Sequence, residues 1–375
     1  MKNSEFSVHR SPFAVLDDLP QIESLDASKM RDLLDSLPRQ VEEGIVLGEG
    51  VDLKVNREVR TILLSGIGGS AIGGDLLRSA LRDEIRMPFF VNREDSLPNF
   101  VDEKTLLFIV SYSGETEETL SAYEEGKKRR PLLVGITSGG RLGEIFEKNG
   151  TPCITLPGGL PPRCALGYLT IPILVVLQRL DLVRRKKKDL GELLHLLSSL
   201  RDRFHPSVPL QENRAKAIAS RLYHHFPLIY THSTYFEGVA HRWETQLNEN
   251  AKIFAHTDLF PELNHNEVMG WDYLKGILEG PLRPIAVLLK DCGSSKEEDR
   301  RMKLTQETFQ NLGMGCLEVE SEGKGLLSRI FSLVYLGDYI SFYLAILRGI
   351  DPTPIPRITE FKSRLKEIHH KDKKN

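Results

Sequence analysis

The chain has 375 residues, 40% hydrophobic and 27% charged, with a formal net charge of -2; a chain of this length buries an adequate core without disulfides or metals and has room for two domains. The near-neutral balance excludes a chain-wide attraction to nucleic acid, so any anion binding must be local. The four cysteines, Cys153, Cys164, Cys292 and Cys316, form no C-x-x-C pair and have no histidine at zinc-finger spacing, which fits a reducing compartment.

In chain order, residues 1–44 read as a polar lead-in with helical stretches such as Ser28–Leu37 and no strand. Met1–Val15 carries charge without an apolar h-region, so no secretory signal is expected. The first strand signal is Arg60–Ser65, followed by a glycine-rich turn and a helical pattern over Asp75–Leu81. Apolar, β-rich runs follow at Pro88–Val91, Thr105–Val110, Pro131–Ile136 and Cys153–Leu156, with helix-like segments between most of them. That alternation predicts βαβ units and a parallel sheet covered on both faces. A helix over Tyr168–Leu182 comes next. Its apolar run Leu169–Leu177 is about half of the ~20 residues that cross a bilayer, so no membrane span is expected and a cytoplasmic location is.

Strand signals resume at Leu228–Thr231, Lys252–Ala255, Ile285–Leu289 and Gly315–Val319, so the chain reads as two similar α/β halves. The basic run Arg184–Lys188 has no interleaved aromatic residue and reads as a solvated connector, not a nucleic-acid patch; the lysine-rich tail Lys366–Lys374 reads the same way. The expected organisation is a lead-in over 1–44, a first half over 45–183, a linker over 184–212, a second half over 213–350 and a C-terminal segment over 351–375. Charge together with Pro206 and Pro209 marks the linker.

Two loops that end strands suit an anion. Ser65–Gly74 lies between a strand and a helix, where backbone N–H groups favour negative charge. Gly66-x-Gly68-x-x-Ala71 approximates a dinucleotide fingerprint, with Glu94 or Asp95 at the end of the next strand, so a nicotinamide site and a plain tight turn both stand at this point. The second loop is Ser111-Tyr112-Ser113-Gly114-Glu115-Thr116. Three hydroxyls at a helix N-terminus suit a monoester phosphate. Serine capping with a following glutamate accounts for the same residues in any helix start.

Gly66-Ile-Gly-Gly-Ser70, followed by Ser111–Thr116, resembles the sugar isomerase (SIS) domain. Pro161-Pro-Arg163, Asn248-Glu249-Asn250, Asn264-His265-Asn266 and Asp351-Pro-Thr353-Pro extend the resemblance, from about residue 40 to the C-terminus, to the bifunctional phosphoglucose/phosphomannose isomerases. It implies two flavodoxin-like αβα subdomains, each with a mainly parallel sheet. It also implies an aldose-ketose isomerase of hexose 6-phosphates that works through a cis-enediol without a metal or organic cofactor.

Such a reaction needs a base, a ring-opening acid and a positive charge for the enediolate. The span Trp243–Trp271 carries Glu244, Glu249, His256, Asp258, Glu262, His265 and Glu267. Glu249 precedes the apolar run Ile253–Ala255 and is expected near a strand edge; Glu244, after Trp243 in a helix, suits a structural ion pair. By resemblance Glu249 matches the base, His265 the ring-opening histidine, Arg163 the enediolate cation, and Lys362 a lysine that assists ring opening. Gly69, Ser70, Ser111, Ser113 and Thr116 would hold the phosphate. A symmetric homodimer is implied, with His265 completing the neighbouring site. The family threonine linked to tolerance of both C2 epimers falls on Ile355, with Thr353 two residues earlier, which weakens the expectation of mannose 6-phosphate activity. Glu262-x-x-His265 has metal-ligand spacing, but Pro261 and the asparagines argue for a loop, and no metal site is expected.

Three other readings compete. A non-catalytic sugar-phosphate sensor could dispense with Glu249, His265 and Arg163, but normally needs an effector such as a DNA-binding segment, and residues 1–44 show none. A glucosamine-phosphate synthase needs an N-terminal cysteine nucleophile, whereas the chain begins Met1-Lys2-Asn3. The last is a Rossmann dehydrogenase.

Overall fold

A computed structural model describes residues 11–53, 58–274 and 282–372. Met1–Arg10 and the end of the basic tail, Lys373 and Lys374, lie outside the described residues. The lead-in holds α1 (Leu19–Leu25), α2 (Met30–Asp35) and α3 (Leu37–Gly50). Asp18 caps α1 by accepting from the Gln21 N–H, with Pro20 in the first turn. The Asp26 carboxylate accepts the Met30 and Arg31 N–H groups at 2.7 and 2.9 Å. The stretch Ser28–Leu37, which reads as one helical run, is thus divided between α2 and the start of α3, which meet at Ser36.

The first sheet contains β1 (Thr61–Ser65), β2 (Phe89–Asn92), β3 (Thr105–Val110), β4 (Leu132–Thr137) and β5 (Cys153–Thr155). Its order is β2-β1-β3-β4-β5 and all its pairs are parallel, with Leu64 opposite Phe108. The connecting helices are α4 (Gly69–Ala80), α5 (Glu117–Arg129) and α6 (Gly140–Asn149). Because side chains alternate along a strand, Leu106, Phe108 and Val110 join the large central core while Leu107 and Ile109 join a smaller outer cluster with Tyr123 and Phe146. Helix α4 begins six residues before the expected Asp75. The glycine-rich stretch is helical there because Gly73 lets the helix pack against Leu169 and Thr170.

Helices α7 (Leu166–Arg179), α8 (Lys187–Phe204) and α9 (Arg214–Leu222) follow. The region expected as a linker therefore holds an 18-residue helix. Leu190, Leu193, Leu197 and Leu200 recur on one face of α8 and are buried, so its apolar rhythm continues through the charged residues. In the basic run, Lys186 lies 2.6 Å from Glu84 and 3.5 Å from Asp189.

The second half contains β6 (His225–His232), α10 (Glu237–Gln246), β7 (His256–Phe260), α11 (Trp271–Leu274), β8 (Arg283–Lys290), α12 (Lys296–Asn311) and β9 (Gly315–Glu320). Its parallel sheet has the order β7-β6-β8-β9. The strand expected at Lys252–Ala255 lies instead at His256–Phe260. Lys252 adopts a left-handed backbone, φ 54°, which interrupts the chain after a π-helical turn over Leu247–Ala251. Helix α13 (Leu326–Leu347) then runs through the middle, and α14 (Pro356–Asp372) ends the described chain. Helix α13 is long and apolar enough by composition to cross a membrane, but its apolar stretch is buried throughout, so its apolarity serves a core that joins both sheets.

Candidate active site

In the first sheet the strand order reverses between β1 and β3, so the loops after their carboxyl ends flank one crevice. These are the two loops that the sequence marks for an anion. Ser70 sits in the first turn of α4 and its Oγ accepts the Tyr112 N–H at 3.1 Å. Ser111 Oγ lies 3.1 Å from Thr116 Oγ1 and accepts the Gly114 N–H at 3.2 Å. Ser113 is exposed and accepts the Glu115 N–H at 3.3 Å. Thr116 is the N-cap of α5, and no side chain caps that helix. With Ser70 accepting from the backbone, its hydroxyl hydrogen remains to be donated to an anion at the start of the helix. Gly114 makes the turn possible: its φ is 69°, and a Cβ there would overlap the Gly139 carbonyl oxygen.

Arg163 lies in a 3-10 turn over Pro162–Cys164 and is only 5% exposed. Its Nε donates to Asn250 Oδ1 at 2.7 Å, and Nη2 donates to the carbonyl oxygens of Thr353 at 2.6 Å and Pro352 at 3.3 Å. Its Nη1 faces Glu249 Oε2 at 3.6 Å. Three of the five guanidinium hydrogens are thus committed to fixed protein oxygens, which leaves Nη1 to face the carboxylate. Glu249 belongs to the π-helical turn that extends α10, not to the expected strand edge; the turn adds a residue to the helix and rotates this carboxylate.

The crowd of acids and histidines from Trp243 to Trp271 is resolved by these positions. Glu244 lies near Thr257 and His241. Glu267 accepts from the Tyr230 hydroxyl, from Trp271 Nε1 at 3.3 Å and lies 3.4 Å from His256. Glu249 alone among these acids pairs with Arg163, and it lines a cavity of about 440 Å³ together with Lys252, Phe254, Ile355 and Ile358.

Thr353 is held through its main chain, with its N–H donating to Asp351 Oδ1 at 3.0 Å; its hydroxyl is buried without a hydrogen-bond partner. Asp351 in turn accepts from the Ser28 N–H and hydroxyl, which ties the C-terminal segment to the lead-in. Lys362 is exposed on α14, one turn beyond Ile358 on the same helical face. His265 is exposed in a 3-10 turn over Glu262–His265. The five-residue β7 lies between it and Glu249 along the chain.

Several residues shape this site through contacts that their local sequence does not announce. Lys252 Nζ donates to the carbonyl oxygens of Glu249 at 2.6 Å, Pro352 at 3.0 Å and Asn250 at 3.3 Å. Burial, and then the charge of Arg163, hold its ammonium below the ordinary lysine range. Asn250 Nδ2 donates to Ser341 Oγ, and Arg242 donates to the Arg163 carbonyl oxygen. Lys252 clamps the turn that bears Glu249 to the segment that bears Thr353.

Two family profiles match the chain: "SIS domain" over residues 57–141 and "Bacterial phospho-glucose isomerase C-terminal SIS domain" over residues 211–365. A bifunctional phosphoglucose/phosphomannose isomerase from Caldicellulosiruptor bescii is 42% identical over 89% of this chain and 98% of its own length. A second, from Thermoplasma acidophilum, is 39% identical over 81% of this chain and 89% of its own. A crystal structure of a hypothetical protein from Thermus thermophilus shares the fold, with TM-score 0.69 at 18% identity over 95% of this chain and 96% of the other. The paired loops, the contact of buried Arg163 with half-buried Glu249 and this similarity over nearly the full length of its relatives lead to one assignment: the chain belongs to the family of bifunctional phosphoglucose/phosphomannose isomerases.

Proposed function

We propose that the protein interconverts glucose 6-phosphate and mannose 6-phosphate with fructose 6-phosphate through a cis-enediol, with no metal or organic cofactor. The observation that carries this reading is the 3.6 Å approach of Glu249 Oε2 to Arg163 Nη1 beside a hydroxyl-lined helix N-terminus.

The substrate phosphate binds between Gly69 and Ser70 on one side and Ser111, Ser113 and Thr116 on the other. Hydroxyl donors and two helix N-termini favour its charge. After ring opening, Glu249 takes the proton from C2, and the negative charge that develops on the enediolate oxygens at C1 and C2 is stabilised by Arg163 Nη1; the other guanidinium bonds are already made and need no reorganisation. The O2 hydroxyl proton passes to O1, and Glu249 returns its proton to C1 as the C2 carbonyl forms. The Thr353 hydroxyl is buried without a partner and would have to turn outward to meet the sugar near C2; the relatives' bifunctional names agree with tolerance of both epimers despite Ile355.

Ring opening is assigned to Lys362 of the same chain and His265 of the partner subunit in a symmetric homodimer. In favour of that arrangement, His265 is separated from Glu249 along the chain by β7, and large apolar side chains are exposed in the residues that follow it: Met269 at 81% and Tyr273 at 79%. We place the activity in the cytoplasm, in the hexose phosphate traffic of glycolysis and gluconeogenesis. A coupled assay of fructose 6-phosphate formation from each epimer, with and without chelator, tests the reading. Turnover of both epimers undiminished by chelator is expected; loss of turnover on chelation contradicts it.

A further inference from the structure

Tyr112 has no part in the chemistry above, although it lies inside the phosphate loop. Its side chain is turned into the protein, 4% exposed. The hydroxyl donates to the Pro157 carbonyl oxygen at 2.7 Å and accepts the Leu160 N–H at 3.0 Å. At the same time its own N–H donates to Ser70 Oγ at 3.1 Å, and its carbonyl oxygen accepts the Ser138 N–H at 2.9 Å and the Ser138 hydroxyl at 2.7 Å. One residue therefore touches the starts of three loops at the carboxyl edge of the first sheet.

The loop gripped by the hydroxyl is Pro157-Gly158-Gly159-Leu160-Pro161-Pro162, which leads directly into Arg163. It holds itself poorly. Three of its six residues are prolines without an N–H, Gly158 and Gly159 contribute no side chain, and Pro157 to Gly159 are exposed. The tyrosine hydroxyl closes it by taking a carbonyl at its first residue and an N–H at its fourth. Beyond the loop, the turn at Pro162–Arg163 lies against the first residue of α4: a Cβ on Gly69 would stand 2.8 Å from the Arg163 nitrogen. The seat of Arg163 and the phosphate cradle are thus adjoining, and Tyr112 bonds to both sides of the junction.

We propose that Tyr112 is a positioning residue for the isomerisation: its hydroxyl fixes the Pro157–Pro162 loop, and through it Arg163, relative to the cradle formed by Ser70 and its neighbours. This rests on the reading of Arg163 as the cation for the enediolate. The hydroxyl acts on the placement of charge in the transition state, so its loss affects kcat, whereas phosphate affinity depends on groups that Tyr112→Phe leaves in place.

The test compares Tyr112→Phe, Arg163→Lys and the double variant with the unsubstituted protein in steady-state isomerase kinetics. Inorganic phosphate serves as competitive inhibitor, and thermal melting monitors folding. Tyr112→Phe keeps the ring and the backbone bond to Ser70. Misplacing a charged group by about 1 Å costs up to ~100-fold, so kcat is expected to fall between about 10-fold and 100-fold, with phosphate inhibition changed less than about twofold. In the double variant the Tyr112 effect shrinks to a few-fold, since it acts through Arg163. A Tyr112→Phe enzyme with kcat within about twofold of the unsubstituted protein overturns the proposal, as does a Tyr112 effect undiminished in the Arg163→Lys background. Arg163→Lys alone, if it left kcat unchanged, would instead overturn the reading of Arg163.

Discussion

Arg242 and Asp338 form a buried ion pair that fastens the Arg163 turn to the second half of the chain. Nη2 lies 2.7 Å from Asp338 Oδ2 and Nε 3.0 Å from Oδ1, with both side chains under 5% exposed. Nη2 also donates to the Arg163 carbonyl oxygen at 3.0 Å, and Gln246 donates to Asp338 Oδ1 at 3.0 Å. Removing one member of such a pair strands the other charge in the core, at a cost of about 3–5 kcal/mol. Urea denaturation of Asp338→Leu is expected to show a loss of that size. A variant as stable as the unsubstituted protein would show that the pair contributes no net stabilisation.

Gly114→Ala tests the phosphate loop. The alanine methyl would overlap the Gly139 carbonyl oxygen at a φ of 69° that alanine disfavours, so the loop must open. The expected result is at least a tenfold rise in KM for hexose 6-phosphates, roughly 1.4 kcal/mol of binding. Unchanged KM would place the phosphate elsewhere.

Asp26 makes stability depend on pH. Burial, opposed by the Arg31 and Met30 N–H bonds and reinforced by Asp351, raises its carboxyl from the ordinary 3.8 to about 6. Above about pH 6 the carboxylate is ionised in both folded and unfolded chains and the burial penalty is fully present. As pH falls from about 6 towards 3.8 the folded state takes up its proton first and the penalty is relieved. Asp26→Asn removes this dependence while keeping one acceptor for the α2 N–H groups. Relative to the unsubstituted protein, the variant should gain up to about 3 kcal/mol as pH rises across that window, measured by denaturant titrations at several pH values. A constant difference would show an unshifted carboxyl.

The proposed sharing of His265 between subunits is open to a mixing experiment. His265→Ala and Glu249→Gln proteins are each expected to be nearly inactive. If His265 completes the partner's site, refolding an equal mixture yields hybrid dimers with one intact site each, and about a quarter of the unsubstituted activity returns. No recovery despite hybrid formation would place His265 in its own chain's site.

The sequence exposes what is local. Strand β3 and the Ser111–Thr116 turn are legible because an apolar run buried on both faces and a hydroxyl-rich helix start are each written in consecutive residues. Glu249 faces Arg163 from another element than the sequence suggests: the apolar Ile253–Ala255 reads as a strand, whereas the π-helical turn and the left-handed Lys252 delay β7 to His256. The linker shows the reverse error, since Lys187, Lys188 and Asp189 hide an apolar helical face whose leucines are spaced over about three turns. Asn250, Arg242 and Asp338 act through partners more than 75 residues away, and Lys252, besides its bonds to Glu249 and Asn250, reaches Pro352, 100 residues on; Asp338 is 96 from Arg242, and no local pattern announces such contacts.

The central claim is that Glu249 moves the proton between C2 and C1. It is tested most directly by incubating the unsubstituted enzyme and Glu249→Gln with fructose 6-phosphate in D2O and following deuterium entry at C1 by NMR, with inorganic phosphate inhibition or direct phosphate binding measured in parallel. The unsubstituted enzyme should incorporate solvent deuterium as it turns over. The variant, isosteric but unable to accept the proton, should lose both turnover and exchange by about 1,000-fold or more while its phosphate affinity stays within about twofold. A Glu249→Gln enzyme that still exchanges deuterium at a rate near that of the unsubstituted enzyme would contradict the account.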